Sequence, residues 1–177
     1  MTSGQVLFVI AHEGFHPIEY AIPKHLVEQA GFTVITASDK AGNAIAKDGS
    51  STHVDLPIEH VDLANFKAVV FIGGPGALDH LNNPTSYALI KEAAEKELVL
   101  GAICISTRIF AASGILKGKD ATGWNGDNEL TDLYNQLKIN YKRHDVVVDD
   151  SIVTAVGPDA AREFADNIIS LLAERIE

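Results

Sequence analysis

Four apolar, β-branched runs of strand length limit what this chain can fold into: "QVLFVIA" at 5–11, "FTVITAS" at 32–38, "AVVFIGG" at 68–74 and "LVLGAIC" at 98–104. Continuous apolar character, without alternation, marks strands covered on both faces. Between and after them, segments 17–31, 84–97 and 159–176 carry apolar residues at three- and four-residue spacing, as amphipathic helices do. Strands alternating with helices predict an α/β fold, a single-domain three-layer sandwich over 1–177 whose mainly parallel sheet has helices on both faces. Gly31 stands where a helix C′ residue would, and Pro84 and Pro158 stand where helices begin.

Two segments depart from the alternation. Residues 42–56 have short apolar patches around a Lys-Asp-Gly-Ser turn, which predicts an excursion hairpin; 145–156 has two β-branched runs flanking Asp149-Asp150-Ser151, which predicts a second hairpin. Fourteen basic residues against 24 acidic ones give a net charge of −10, with the cations scattered, so a nucleic-acid partner is not expected. No stretch reaches the roughly 20 apolar residues of a membrane helix, and the N-terminus lacks the basic start and long apolar run of a signal peptide. The expectation is a soluble, cytoplasmic protein without a membrane partner.

The stretch "HEGFH" at 12–16 spells the letters of a zinc-peptidase helix. That chemistry needs both histidines on one face of a continuous helix, a turn apart. Here the stretch follows directly on a strand, Gly14 weakens a helix, and Pro17 turns His16 away from the α region. A loop after the first strand, with the helix starting near Pro17, is the better reading, and no metal is expected. Histidines 25, 53, 60, 80 and 144 read as solvated or capping residues. His12 and His16 still matter, because open α/β sheets bind ligands beyond the carboxyl ends of their strands.

"GGPGALDHL" at 73–81 follows the third strand. Its glycines permit close approach of a ligand to backbone N–H groups; a tight strand-to-helix turn explains them equally well. Asp79 stands where a dinucleotide fingerprint needs its third glycine, and no phosphate-loop lysine is present. After the fourth strand, "GAICISTRIF" places Cys104, the only cysteine, at a strand-to-helix junction with Ala102 and Ser106 two residues to either side. Small residues at those positions suit a nucleophile elbow. A thiol at the start of a helix is expected to have its pKa lowered, so a reactive Cys104 is preferred over a structural one. Glu19, in the first turn of the first helix, is placed on a face with Ile18, Ile22 and Leu26, from which it would point at the thiol. A solvated first-turn acid fits the spacing as well.

"EYAIP", "FIGGPGA", "AICIS", "ASGILKGKDAT" and "VVVDDSIVTAVGPDAAREFADNI", in this order over nearly the whole chain, resemble the ThiJ/PfpI superfamily. That group includes the parkinsonism-associated protein deglycase and intracellular PfpI-type peptidases. The resemblance implies a glutamine-amidotransferase-like (flavodoxin-like) fold, a nucleophilic and easily oxidised Cys104, Glu19 as its partner, and Gly74 with the backbone of Ile105 at the oxyanion positions. It also implies a homodimer and no cofactor. The chain departs from the pattern twice. Peptidase-like members carry a histidine directly after the cysteine, where this chain has Ile105; deglycase-like members carry one some twenty residues later, where Gly123 and Trp124 stand.

The resulting expectation is a cofactor-free cysteine enzyme acting on a small electrophile such as a reactive carbonyl, of deglycase, glyoxalase or hydratase type, with His12, His16 and Trp124 as possible pocket residues. Trp124 reads first as a packing residue; Arg108 reads either as a binder of an anionic substrate or, preferably, as the partner of an acid across a subunit contact. The alternative is a non-catalytic redox or stress-response protein working through oxidation of Cys104. A flavin- or phosphate-binding module fits less well, since "AHEGFHP" is no phosphate loop. Peptide hydrolysis is not expected.

Overall fold

A computed structural model describes residues 4–175; position 176, the end of the third expected helix, lies outside them. In chain order come β1 (Gln5–Ile10), β2 (Glu13–Phe15), α1 (Pro17–Gln29), β3 (Thr33–Ser38), β4 (Gly42–Ala46), β5 (Ser51–Val54) and β6 (Leu56–Pro57). Next are β7 (Phe66–Phe71), α2 (Ala77–Leu81), α3 (Pro84–Glu95), β8 (Val99–Ile103) and α4 (Thr107–Ser113). The last are β9 (Asp120–Ala121), α5 (Leu130–Gln136), β10 (Asn140–Tyr141), β11 (Val146–Asp149), β12 (Ile152–Ala155) and α6 (Ala161–Ala173).

The central sheet has seven strands in the order β11-β12-β8-β7-β1-β3-β6, parallel except for β11. The four apolar runs are β1, β3, β7 and β8, and their residues from Val6 to Ile10 and from Ala68 to Ile72 are fully buried. Helices α1 and α6 pack together on one face and α3 and α4 on the other, giving the α/β sandwich that the alternation predicts. Gly101 lets α6 sit close on β8: a Cβ there would stand 2.9 Å from Ile168 Cδ1 and 3.0 Å from Phe164 Cζ.

Local chemistry sets the boundaries. Gly31 adopts φ 94 after α1, its N–H reaching Glu28 O at 3.0 Å and that of Phe32 reaching Val27 O at 3.3 Å, the two bonds of a Schellman motif. Pro84 opens α3 behind Asn83, whose side chain accepts from Ser86 N. Pro158 begins a 3-10 turn, and α6 itself starts at Ala161.

Both hairpins form, as β4–β5 and β11–β12. The second is no appendage, because β12 enters the central sheet parallel to β8. The "HEGFH" stretch is not a simple loop either: Glu13–Phe15 is a strand running parallel to β4, and His16 is the N-cap of α1. The two histidines therefore do not project from one helix.

Candidate active site

Beside β1 the winding of the sheet reverses. The chain leaves β1 for β3 on one side and returns as β7 on the other. Such a reversal leaves a crevice at the carboxyl ends of the strands. Residues from three of these ends meet there. β1 delivers Glu19 through α1, β7 ends before Gly73 and Gly74, and β8 ends before Cys104.

Cys104 holds φ 61, a left-handed conformation that non-glycine residues keep only when their surroundings enforce it. It opens a 3-10 turn, Cys104–Ser106, that runs into α4. Ser106 Oγ donates to Ile72 O at 2.6 Å, tying this turn to the end of β7. The carbonyl of Cys104 accepts from Thr107 Oγ1 at 3.0 Å and from Trp124 N at 3.3 Å. Ala102 and Ser106 are both fully buried, which is why only small side chains fit beside the elbow.

Gly73 lies between the carboxyl and the thiol. A Cβ on it would stand 2.6 Å from Glu19 Oε2 and 2.7 Å from Cys104 Cβ, and its N–H donates to Oε2 at 2.9 Å. Glu19 is fully buried, and its Oε1 has no partner of regular hydrogen-bond geometry. Burial pushes its carboxyl up to about 7 against the opposing pull of the Cys104 thiol, the Gly73 N–H and the Lys47 charge. The helix face differs from expectation. α1 buries Glu19, Tyr20, Pro23 and Val27, while Ile18 is 48% and Ile22 37% exposed. The carboxyl points inward because the side of α1 that meets α6 and the sheet carries Glu19 and not the isoleucines.

The Cys104 thiol is pushed up to about 12, first by burial, then by the charge of Glu19 and the hydrogen bond to it, while the N–H groups of Ile105 and Gly74 act in the opposite sense. The expected lowering by the helix start does not prevail, since α4 has only seven residues and burial beside a carboxylate outweighs it. Both groups are raised first by burial, and the charge of Glu19 adds to the rise of the thiol. The first negative charge of the pair therefore belongs to the Glu19 carboxyl, and the two N–H groups ease a charge on sulfur without reversing that order.

A pocket of about 520 Å³ opens over Cys104, lined by His16, Lys47, Gly74, Pro75, Leu78, Ile105, Trp124 and Pro158. A larger cavity of about 910 Å³, lined by Phe32, Lys67, Leu98, Ser151 and Arg175 among others, holds neither the thiol nor its carboxyl partner. The smaller pocket is the relevant one, on chemical grounds. His16 donates its backbone N–H to Gly73 O at 2.9 Å, and its imidazole is held neutral by burial and by Lys47, with Asp48 opposing.

His12 is not among the residues lining this pocket. Its backbone N–H donates to Asp39 Oδ1 at 2.8 Å, and Asp39 Oδ2 lies 2.8 Å from His80 Nδ1. His80, expected to be solvated or capping, is therefore hydrogen-bonded through its ring to Asp39. Arg108 pairs with Asp127 of its own chain at 2.7 Å and lies 5.6 Å from the ring centre of Trp124. An intramolecular acid occupies it, and sequence reasoning offered no signal for Asp127 beyond its polar surroundings. Trp124, 37% exposed, is part of the pocket wall and not only packing.

The model of the DJ-1/PfpI family matches residues 4–171. The chain belongs to the DJ-1/PfpI family. YraA of Bacillus subtilis, whose name proposes a cysteine protease, is 33% identical over 93% of this chain and 96% of its own length. Deglycase PfpI of Pyrococcus furiosus is 27% identical over 95% and 99%. A ThiJ/PfpI domain protein from Brachyspira murdochii superposes with a TM-score of 0.91 at 29% identity, covering 98% of both chains. The family resemblance read from the motifs is thus correct, and so is the flavodoxin-like α/β fold it implied.

Proposed function

We propose that the protein is a cofactor-free, cysteine-dependent enzyme of the cytoplasm that adds the sulfur of Cys104 to the carbonyl carbon of a small electrophile, with a deglycase, glyoxalase or hydratase outcome. The observation that carries this reading is the meeting of Glu19, Gly73 and Cys104 below a pocket, with the N–H groups of Gly74 and Ile105 turned to the sulfur. In the first step the ionised Glu19 carboxyl takes the thiol proton. The sulfur electron pair then forms the carbon–sulfur bond as the carbonyl π pair moves onto oxygen. The Gly74 and Ile105 N–H groups stabilise that oxyanion, which recovers the proton from Glu19 to give a hemithioacetal. A relative named as a deglycase supports this chemistry, and Ile105 in place of a histidine disfavours peptide hydrolysis.

The test is methylglyoxal consumption by the purified protein. Wild type is expected to consume it, Cys104→Ser to fall to background and Glu19→Gln to lose most of the turnover. Turnover that survives in Cys104→Ser would sink the reading. One observation favours a second reading, redox sensing without catalysis: the unpartnered Oε1 of Glu19 beside the thiol could hydrogen-bond a sulfinate oxygen. Absence of turnover together with peroxide-driven addition of two oxygens to Cys104 would select it. The homodimer implied by the family belongs to the same proposal, supported by the uncovered Ile18 and Ile22.

A further inference from the structure

We propose that the pocket over Cys104 selects small carbonyl compounds that carry a carboxylate, with Lys47 and the Nε2 of His16 receiving that group; this rests on the reading of Cys104 as the nucleophile. The walls are otherwise apolar: Pro75, Leu78, Ile105, Trp124 and Pro158. Against such walls two polar side chains stand out.

Lys47 follows β4, its backbone N–H fixed to Phe15 O at 2.9 Å. Its ammonium forms no ion pair with any described residue. The neighbouring Asp48 forms no ion pair with it, its carboxylate accepting from Ser50 N at 3.0 Å and Ser50 Oγ at 2.6 Å, although the charge of Asp48 also acts on His16, in the sense opposite to that of Lys47. The charge reaches the centre of the site, since it acts on both His16 and Glu19. A free cation at the mouth of the pocket runs against a chain of net charge −10.

His16 is 8% exposed, and its Nδ1 is sealed from solvent with no partner. A buried nitrogen without an acceptor is least costly as a bare lone pair. The proton of the neutral ring therefore sits on Nε2, which becomes a donor in the pocket wall. The N–H groups of Gly74 and Ile105 are taken by the carbonyl oxygen of the substrate, which leaves Lys47 and His16 for a second group. One cation and one neutral donor balance a carboxylate monoanion and leave a phosphate dianion under-neutralised.

The test compares alkylation of Cys104 by iodoacetate and by iodoacetamide, with N-acetylcysteine as the free-thiol reference. It needs no turnover, and this chain has one cysteine. The iodoacetate-to-iodoacetamide rate ratio is expected to exceed that of the reference, to fall about fivefold in Lys47→Met, to be restored in Lys47→Arg and to shrink with added salt. An unchanged ratio in Lys47→Met, with Cys104 still labelled, overturns the anion site and leaves the proposed function standing. If neither reagent labels Cys104 at any pH, the nucleophile reading falls and the anion site with it. Protection of Cys104 by inorganic phosphate at lower concentration than by propionate would overturn the choice of carboxylate.

Discussion

Burial gives Glu19 a strongly different environment in the folded chain from that in the unfolded one. Its folded-state carboxyl titrates at about 7 instead of 4.5, so the native state holds a proton that the unfolded state has released. The stabilisation this gives is fully present below about pH 4.5 and is lost as pH rises through about 7, at most about 3 kcal/mol. The urea midpoint of the wild type should therefore drop between about pH 5 and pH 7.5 by more than that of Glu19→Gln, which cannot ionise. Equal pH slopes in the two proteins would show that burial does not shift this group. Residue reading went far here: the small neighbours of Cys104 marked the elbow, and the family motifs marked Glu19. The pocket role of Lys47 and the pairing of Arg108 with Asp127 were not legible, because both depend on which distant loops the sheet brings together.

At the scale of elements, the glycine turn after β7 does the positioning. Gly74 holds φ 116, and a Cβ there would press into backbone atoms of Gly14 and His16. Gly74→Ala is therefore expected to cost about 1–3 kcal/mol in the denaturation midpoint and to slow Cys104 labelling, because the displaced amide no longer faces the sulfur. A variant as stable and as reactive as wild type would show that the turn is not under this constraint. The four central strands could be read in advance because strands covered on both faces are continuously apolar. β2 and β9 could not be, since two or three residues carry no period. The hairpin of β11 and β12 announced itself by its turn, where Asp150 indeed takes φ 50. Its placement beside β8 is a long-range pairing that no local pattern encodes.

For the whole molecule, the family implied a homodimer, and the exposed residues of α1 include two large apolar ones, Ile18 and Ile22, beside the polar His25, Glu28 and Gln29. Replacing both by Glu is expected to shift the sedimentation coefficient from dimer to monomer without loss of the folded circular-dichroism spectrum. A wild type that sediments as a monomer at every concentration would end that proposal. The alternation of strands and helices was enough to predict the layers, because connecting parallel strands requires crossovers that cover both faces.

The three groups at the centre of the site reach it from β1, β7 and β8, and α1, which carries Glu19, is backed by α6 near the end of the chain. A ribosome releases these pieces one after another, and no early fragment contains them all. During synthesis Cys104 is thus an ordinary thiol on an incomplete sheet, without the forced backbone angle, the buried carboxyl or the opposing amides. Under the proposed function, a chain that lacks any of these elements in place does not carry the assembled site, and labelling of Cys104 with native kinetics is expected to report that the sheet and α1 have come together.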